Sequence, residues 1–431
     1  MTESQNFNRI KMRKEITVVL LYGLSLIFSL PTSSAADYNT IEPQGNSRFH
    51  LHDTLKSSLK YISTNFENAS QLDWEVDSQG IVNVSLIYDH ERSSPNRANG
   101  HWHFKLEADS GTVVTLILEN FENVWNGMKG VPVSEKTNCL ISVDGKNWTV
   151  IPSDFISGNR LKIEVPMKSD HMYVASVEPY RISDLDKLLM EIKDNPQIEI
   201  LNVGNTVEGR PLEIIRIGNP DAPFSVFLRA RAHSWEPGGN WVVQGLIRTL
   251  LKKDAAHFLK RYCVYIMPMA NKDGVARGRT RFNTNGKDLN REWDLKADRS
   301  LTPEKYAFEN WLQMMISKGK KPQLAIDLHN DQGGNIHVNL PSTTNGEYIS
   351  NMKRIESLLY KHTWFTEGPS HVKNPGSFGE GLAKRFGIDA FVYELNYEWA
   401  AGLKKAPMGK DWELLGKQLA EVFYLYFDKT N

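Results

Sequence analysis

The chain has 431 residues, 40% hydrophobic and 24% charged, with lysine plus arginine equal to aspartate plus glutamate at 51 each. Balanced charge gives no electrostatic footprint for nucleic acid or an anionic membrane surface. The length predicts two folded domains rather than one.

The amino terminus stands apart. "NRIKMRKE" is basic, "ITVVLLYGLSLIFSL" is apolar but short for a membrane span, and "PTSSAAD" places Ser34 and Ala36 for cleavage before Asp37. This layout predicts a secretory signal peptide over residues 1–36, with export to a periplasm or the medium and no stable membrane anchor after cleavage. An uncleaved anchor is the competing reading, and Met12 offers a shorter start. Export permits disulfides, but Cys139 and Cys263 fall in different expected domains, so two buried free thiols are expected.

Residues 37–178 read as an antiparallel β-sandwich. "GIVNVSLIYDH", "HWHFKLEA", "GTVVTLILENF", "NCLISVDG", "NWTVIP", "NRLKIEVP" and "HMYVASVEP" alternate with period two and are bounded by Gly, Asn, Asp or Pro. "SVDGKNW" carries an Asp-Gly hairpin signal, and "SSLKYISTNFENA" suggests one helix. His101 and His103 alternate along a strand without a third acidic or thiol partner, which favours packing over metal binding.

From 179 to 431 the pattern changes to an α/β domain. "RISDLDKLLMEIKD" has helical period with Ser183 as the expected cap. Strand-like runs then alternate with helices: "IEILNVG", "PLEIIRIG", "FSVFLRA", "CVYIMPMAN", "LAIDLHN", "IHVNLP" and "AFVYELNY" lie between amphipathic segments. The pattern predicts a mixed, largely parallel sheet covered by helices, with its active site at the carboxyl ends of the strands.

His233 and Glu236 follow "FSVFLRA", and His329 ends "LAIDLHN", so all three map to one sheet edge. Two histidines and a carboxylate leave a tetrahedral zinc one open position. Alone, the trio leaves a bland reading open, in which Glu236 favours a helix amino terminus and His329 is a buried core histidine. A further cluster, "GVARGRTRFNTNGKDLNREW", follows "CVYIMPMANKD" at the same edge and sets Asn290 and Arg291 side by side, able to grip a carboxylate. Glu394 interrupts an apolar strand, where an ionised carboxylate is costly without a task or a partner. It is the candidate general base, with Glu380, Glu367 and Glu398 as rivals in more polar surroundings.

In this order, "HSWE", "GKDLNR", "DLH" and "FVYEL" resemble the zinc carboxypeptidase family, most closely its cytosolic carboxypeptidase subgroup, which carries a β-sandwich ahead of the catalytic domain. "NVWNGMKGVPVSEKTN", "DGKNW" and "MYVASVEPYRISDLDKLL" are similar to that sandwich and its junction, so the resemblance runs from about residue 80 onward. It implies one zinc ion per chain held by His233, Glu236 and His329. It implies Asp288 as the acid orienting a ligand histidine, Asn290 and Arg291 as the grip on a substrate carboxylate, Arg281 as the stabiliser of the developing oxyanion, and Glu394 as general base and acid. The implied activity is hydrolysis of the carboxyl-terminal bond of peptides or proteins, with no nucleic-acid partner.

The chain departs from the subgroup's pattern at three places. Ser234 and Trp235 stand where it has Pro-Gly, Asn330 and Asp331 follow the last ligand, and no tyrosine lies between Tyr360 and Tyr393, so that His371 or Ser377 is expected nearby instead. Two other functions fit the same residues: a zinc amidase or esterase acting on N-acyl amino acids, and an inactive peptide-binding protein. Residues 371–387 are the expected side-chain pocket, where Lys373, Lys384 or Arg385 would suit an acidic terminal residue if not simply solvated.

Overall fold

The computed structural model describes residues 57–338, 346–370 and 375–428. Two five-stranded sheets face each other in the amino-terminal part. One is built from Leu59–Ser63, His103–Ala108, His171–Ala175, Asn138–Ser142 and Thr149–Pro152. The other holds Asp154–Ile156, Arg160–Pro166, Val113–Glu119, Val82–Leu86 and Leu72–Val76. All pairings are antiparallel except Val82–Leu86 with Val113–Glu119. Period-two alternation sends Val84, Phe104, Leu106, Leu116, Leu118, Ile163 and Val165 into the shared core. A smaller four-stranded sheet links Asp89–His90, Arg97–Ala98, Asn123–Trp125 and Met128–Gly130.

The helix expected in "SSLKYISTNFENA" is instead the strand Leu59–Ser63, paired with His103–Ala108. Its run of Tyr61, Ile62 and Ser63 fits a pleated edge that buries Ile62, and this pairing overrides the weak helical signal. The Asp-Gly hairpin is present, with Asp144 Oδ1 accepting from the Lys146 and Asn147 amides between the paired strands. His101 and His103 are buried packing residues, and His101 Nε2 lies 3.0 Å from the Asn68 carbonyl. Cys139 and Cys263 are both free and buried.

The second part is organised on an eight-stranded mixed sheet. Its order is Ile198–Asn205, Pro211–Ile217, Tyr262–Met267, Phe224–Ala230, Leu324–Asp331, Asp389–Asn396, Asn335–His337 and Pro369–Ser370. The four strands from Tyr262–Met267 to Asp389–Asn396 run parallel and are apolar on both faces, as sheets covered on both sides require. Helices Ile182–Ile192, Gly238–Leu250, Gly346–His362 and Gly409–Tyr426 bury one face, and Pro303–Ser317 and Phe378–Phe386 bury the other.

Helix Ile182–Ile192 is capped differently from expectation. Arg181 holds the cap position and Asp184 reaches back to accept its amide, at 3.0 Å. Ser183 lies inside the first turn, and its amide donates to Glu67 of the sandwich. The acidic residue of the first turn satisfies the free amide, so no hydroxyl cap is needed.

Candidate metal centre

The strand Phe224–Ala230 leads into Arg231, whose φ of +62° is left-handed and costly for a residue with a Cβ. The buried Arg231 side chain offsets this by bracing the turn, its Nε donating to the Ser234 carbonyl at 2.8 Å and its Nη1 to Asn240 Oδ1 at 3.2 Å. That turn carries His233 and Glu236 to the mouth of helix Gly238–Leu250. On the neighbouring parallel strands, His329 is directly paired with Glu394, so their side chains leave the same face.

His233, Glu236 and His329 are all buried, and their donor atoms lie within 4.8 Å of one another. Glu236 Oε1 is 2.8 Å from His233 Nδ1, Glu236 Oε2 is 2.8 Å from His329 Nδ1, and the two Nδ1 atoms are 3.1 Å apart. The far nitrogens are held by carboxylates: His233 Nε2 is 3.0 Å from Asp288 Oδ1 and His329 Nε2 is 2.7 Å from Asp327 Oδ2. Each ring therefore turns its Nδ1 toward one shared point, and two nitrogens, a carboxylate and outer carboxylates form a donor set that suits zinc. Burial pushes the Glu236 carboxyl up, but His233 and His329 outweigh it and hold its pKa at about 2.

Asp288 is shared. Its Oδ1 faces His233, while Oδ2 accepts from Arg281 Nε at 2.9 Å and Nη2 at 2.8 Å. Burial opposes its charge, yet Arg281 and then His233 hold its carboxyl well below the usual range. Asn290 is buried and fixed, its Oδ1 accepting from the Phe378 amide at 2.9 Å. Arg291 lies beside it, with Nη1 donating to the Asn290 carbonyl at 2.9 Å. Burial lowers the Arg291 pKa, against the pull of Asp288.

Glu394 is buried, and burial pushes its carboxyl well above the usual range, with His329 pulling the other way. His337 Nδ1 lies 3.9 Å from Glu394 Oε1. The rival carboxylates are engaged elsewhere. Glu398 accepts from Ser134, Thr137 and Gln332, Glu380 from the Gly376 amide and Lys384, and Glu367 from the Ala401 amide.

The unusual residues of the first motif have structural partners. Ser234 Oγ donates to the Arg279 carbonyl at 2.8 Å and the Trp235 amide to the Thr280 carbonyl at 3.1 Å. Trp235 Nε1 donates to Glu236 Oε1 at 3.1 Å. Asn330 Oδ1 accepts from the Gly238 amide at 2.8 Å, which fixes the helix start behind Glu236. Ser377 caps helix Phe378–Phe386, while His371 and Lys373 lie outside the described residues. Lys384 pairs with Glu380, and Arg385 bonds Trp293 and Leu295 carbonyls and Glu309, so both cations serve the structure around them.

Sequence reasoning missed Asp327, Arg229, Arg231 and His337. Asp327 had a legible signal, since "DLH" on a strand sends Asp327 and His329 to one face. Arg229 pairs with Asp327 through Nε at 2.7 Å and through Nη2.

Residues 185–330 match the zinc carboxypeptidase family model. Human cytosolic carboxypeptidase 1 is 28% identical over 186 residues, covering 39% of this chain and 15% of its own length. Its zebrafish counterpart is 35% identical over 106 residues, covering 24% of this chain and 9% of its own length. The chain thus spans a small part of these curated relatives. A metallo-carboxypeptidase from Burkholderia cenocepacia superposes with a TM-score of 0.76 at 22% identity, covering 87% of this chain and all (100%) of that one. A metallo-carboxypeptidase from Pseudomonas aeruginosa gives 0.72 at 20% identity, covering 85% and 98%.

Residues 185–330 thus match a zinc carboxypeptidase domain, and they lie within a carboxypeptidase-like fold preceded by a domain of largely antiparallel sheets. Its relatives by sequence include cytosolic carboxypeptidases.

The expectation of export is corrected by those relatives, whose names point to an intracellular location. A basic stretch followed by a short apolar run is a compositional pattern, and runs of that size also fit buried or interfacial segments. Residues 1–36 lie outside the described residues. Among the described residues, no helix is long and apolar enough to cross a membrane.

Proposed function

We propose that the chain is a zinc-dependent carboxypeptidase that removes the last residue of peptides or proteins. The observation that carries this reading is the convergence of His233, Glu236 and His329 on one buried point, with Glu394 on the same sheet face. His233, Glu236 and His329 would hold one zinc ion, which when bound supplies a Lewis acid for the scissile carbonyl and for water. Asn290 and Arg291 receive the terminal carboxylate of the substrate, the arginine through its planar fork. Arg281, held rigid by Asp288, faces the carbonyl oxygen as charge develops on it. Glu394 takes a proton from the attacking water and delivers it to the departing amine. The carbon–nitrogen bond breaks, a carbon–oxygen bond forms, and one water is consumed. Burial pushes the Glu394 carboxyl above its ordinary range, the direction that favours a group which both takes up and gives back a proton.

The test is release of terminal residues from a library of peptides that differ only at the carboxyl end, with and without a chelator. Single-residue release that needs zinc is expected. Glu394→Gln is expected to lose about 10²–10⁴-fold in kcat at unchanged zinc content. Free acid from N-acyl amino acids with peptides left intact would overturn the reading, as would full activity of the Gln variant.

A further inference from the structure

The segment 275–286, which delivers Arg281, is clamped by the amino-terminal domain along its length. Asn68 Nδ2 donates to the Val275 carbonyl at 3.1 Å. Gly278 has φ +60°, and a Cβ there would fall 1.9 Å from the Ala69 carbonyl oxygen, so the sandwich backbone lies directly against it. The His101 amide reaches Thr280 Oγ1 at 3.4 Å. At the far end the Arg92 amide donates to the Gly286 carbonyl at 2.7 Å, and a Cβ on Gly286, at φ +74°, would meet that same amide.

The centre of this clamp is a carboxylate. Asp89, on the small four-stranded sheet, is buried, and its Oδ2 accepts the backbone amides of both Arg281 and Phe282 at 2.8 Å. Its Oδ1 lies 3.7 Å from Arg279 Nη1. Two charge-assisted bonds from adjacent amides fix the peptide planes on either side of the Arg281 Cα. Fixing both planes sets the direction in which that side chain leaves the backbone. The same sheet places Trp125 beside the guanidinium, whose carbon is 5.9 Å from the ring centroid. From the other side, Ser234 and Trp235 bond the Arg279 and Thr280 carbonyls. The segment is therefore gripped between the sandwich and the metal-ligand turn, and Asp89 is the charged group that bonds the arginine's own backbone.

We infer that Asp89 is a positioning residue for Arg281, and that the amino-terminal domain is through it a working part of the active site. This rests on the proposed carboxypeptidase reading for its kinetic consequences. A misplacement of about 1 Å at a charge-stabilising group costs up to about 10²-fold in rate, which is the scale expected here.

The experiment uses the full chain loaded with zinc and four variants: Asp89→Ala, Asp89→Asn, Arg281→Ala and the Asp89→Ala/Arg281→Ala double. Asp89→Ala is expected to lower kcat by about 10–100-fold with zinc stoichiometry unchanged. Asp89→Asn keeps an acceptor oxygen and is expected to recover most of the loss, and it serves as the folded comparison should the Ala variant not accumulate. The double variant is expected to be no slower than Arg281→Ala alone, since Asp89 acts only through that arginine. Losses that multiply in the double variant, or full activity in Asp89→Ala, would overturn the inference. Hydrogen exchange supplies a readout independent of activity: protection of the 279–286 amides is expected to drop in Asp89→Ala and stay in Asp89→Asn. If the unmodified chain releases no terminal residue but exchange follows this pattern, the carboxypeptidase reading has failed and the positioning role of Asp89 stands. Unchanged exchange in Asp89→Ala sinks the positioning role whatever the activity.

Discussion

Replacing Asp327 by Ala separates two jobs done by one carboxylate. Asp327 accepts from Arg229 Nε at 2.7 Å and from Nη2, and it lies 2.7 Å from His329 Nε2. Arg229 is only 2% exposed and packs against the rings of both Trp293 and Phe378. Removing the carboxylate leaves that guanidinium with the Leu289 carbonyl as its remaining hydrogen-bond acceptor. A buried charge stripped of its partner costs about 3–5 kcal/mol, so the urea midpoint of Asp327→Ala is expected to fall by that equivalent. Replacing both members, as Arg229→Met/Asp327→Leu, removes the orphaned charge and is expected to regain most of the stability. Zinc affinity should not recover, because His329 still lacks its acceptor; a loss of about 10–100-fold is expected in both variants by competition with a chelator. An Asp327→Ala variant within about 1 kcal/mol of the parent, or a double variant with parental zinc affinity, would refute this division of labour.

Two further outcomes are expected. Glu304 is buried with Oε1 lacking a hydrogen-bond partner, and burial pushes its pKa up to about 7. The folded state therefore keeps a proton that the unfolded chain releases from the ordinary glutamate value upward. Stability falls as pH rises across that window, by about 3 kcal/mol in all, and is level above it. Glu304→Gln cannot ionise and should lose this slope when denaturant midpoints at pH 5 and pH 8 are compared; a slope equal to the parent's would count against it. Burial also raises the thiol pKa values, to about 12 for Cys139 and about 11 for Cys263. Neither should react with a thiol reagent in the native state, and both should do so in denaturant. Rapid native labelling would contradict that.

The candidate trio of His233, Glu236 and His329 was legible because its members follow or end apolar strands, where an α/β sheet concentrates function. Glu394 was legible because a carboxylate in "AFVYELNY" needs a reason. What stayed hidden were groups whose meaning depends on packing. Asp89 lies on a two-residue strand far from the motifs in sequence, and nothing local announces that it accepts the Arg281 amide. Arg231 and His337 take their roles from a backbone angle and a sheet register. Leu59–Ser63 and Ser183 misled because local propensity was outweighed, by pairing with a distant strand in one case and by Asp184 in the other. Export was inferred from the three-part layout of residues 1–36, and the relatives named as cytosolic carboxypeptidases correct that expected location.

Asp288 turns Oδ1 to His233 and the Asn290 amide and Oδ2 to Arg281. That makes it a lever with two arms. A ligand that draws Arg281 toward itself loosens the guanidinium's hold on the carboxylate and frees negative charge for the ring of His233. Under the proposed function, in which substrate draws on Arg281 and His233 holds the metal, metal affinity and substrate occupancy would be thermodynamically linked, and reciprocity demands one coupling factor in both directions. A substrate analogue that tightens zinc binding by a given factor must itself bind more tightly, by that same factor, to the zinc-loaded protein than to the metal-free one.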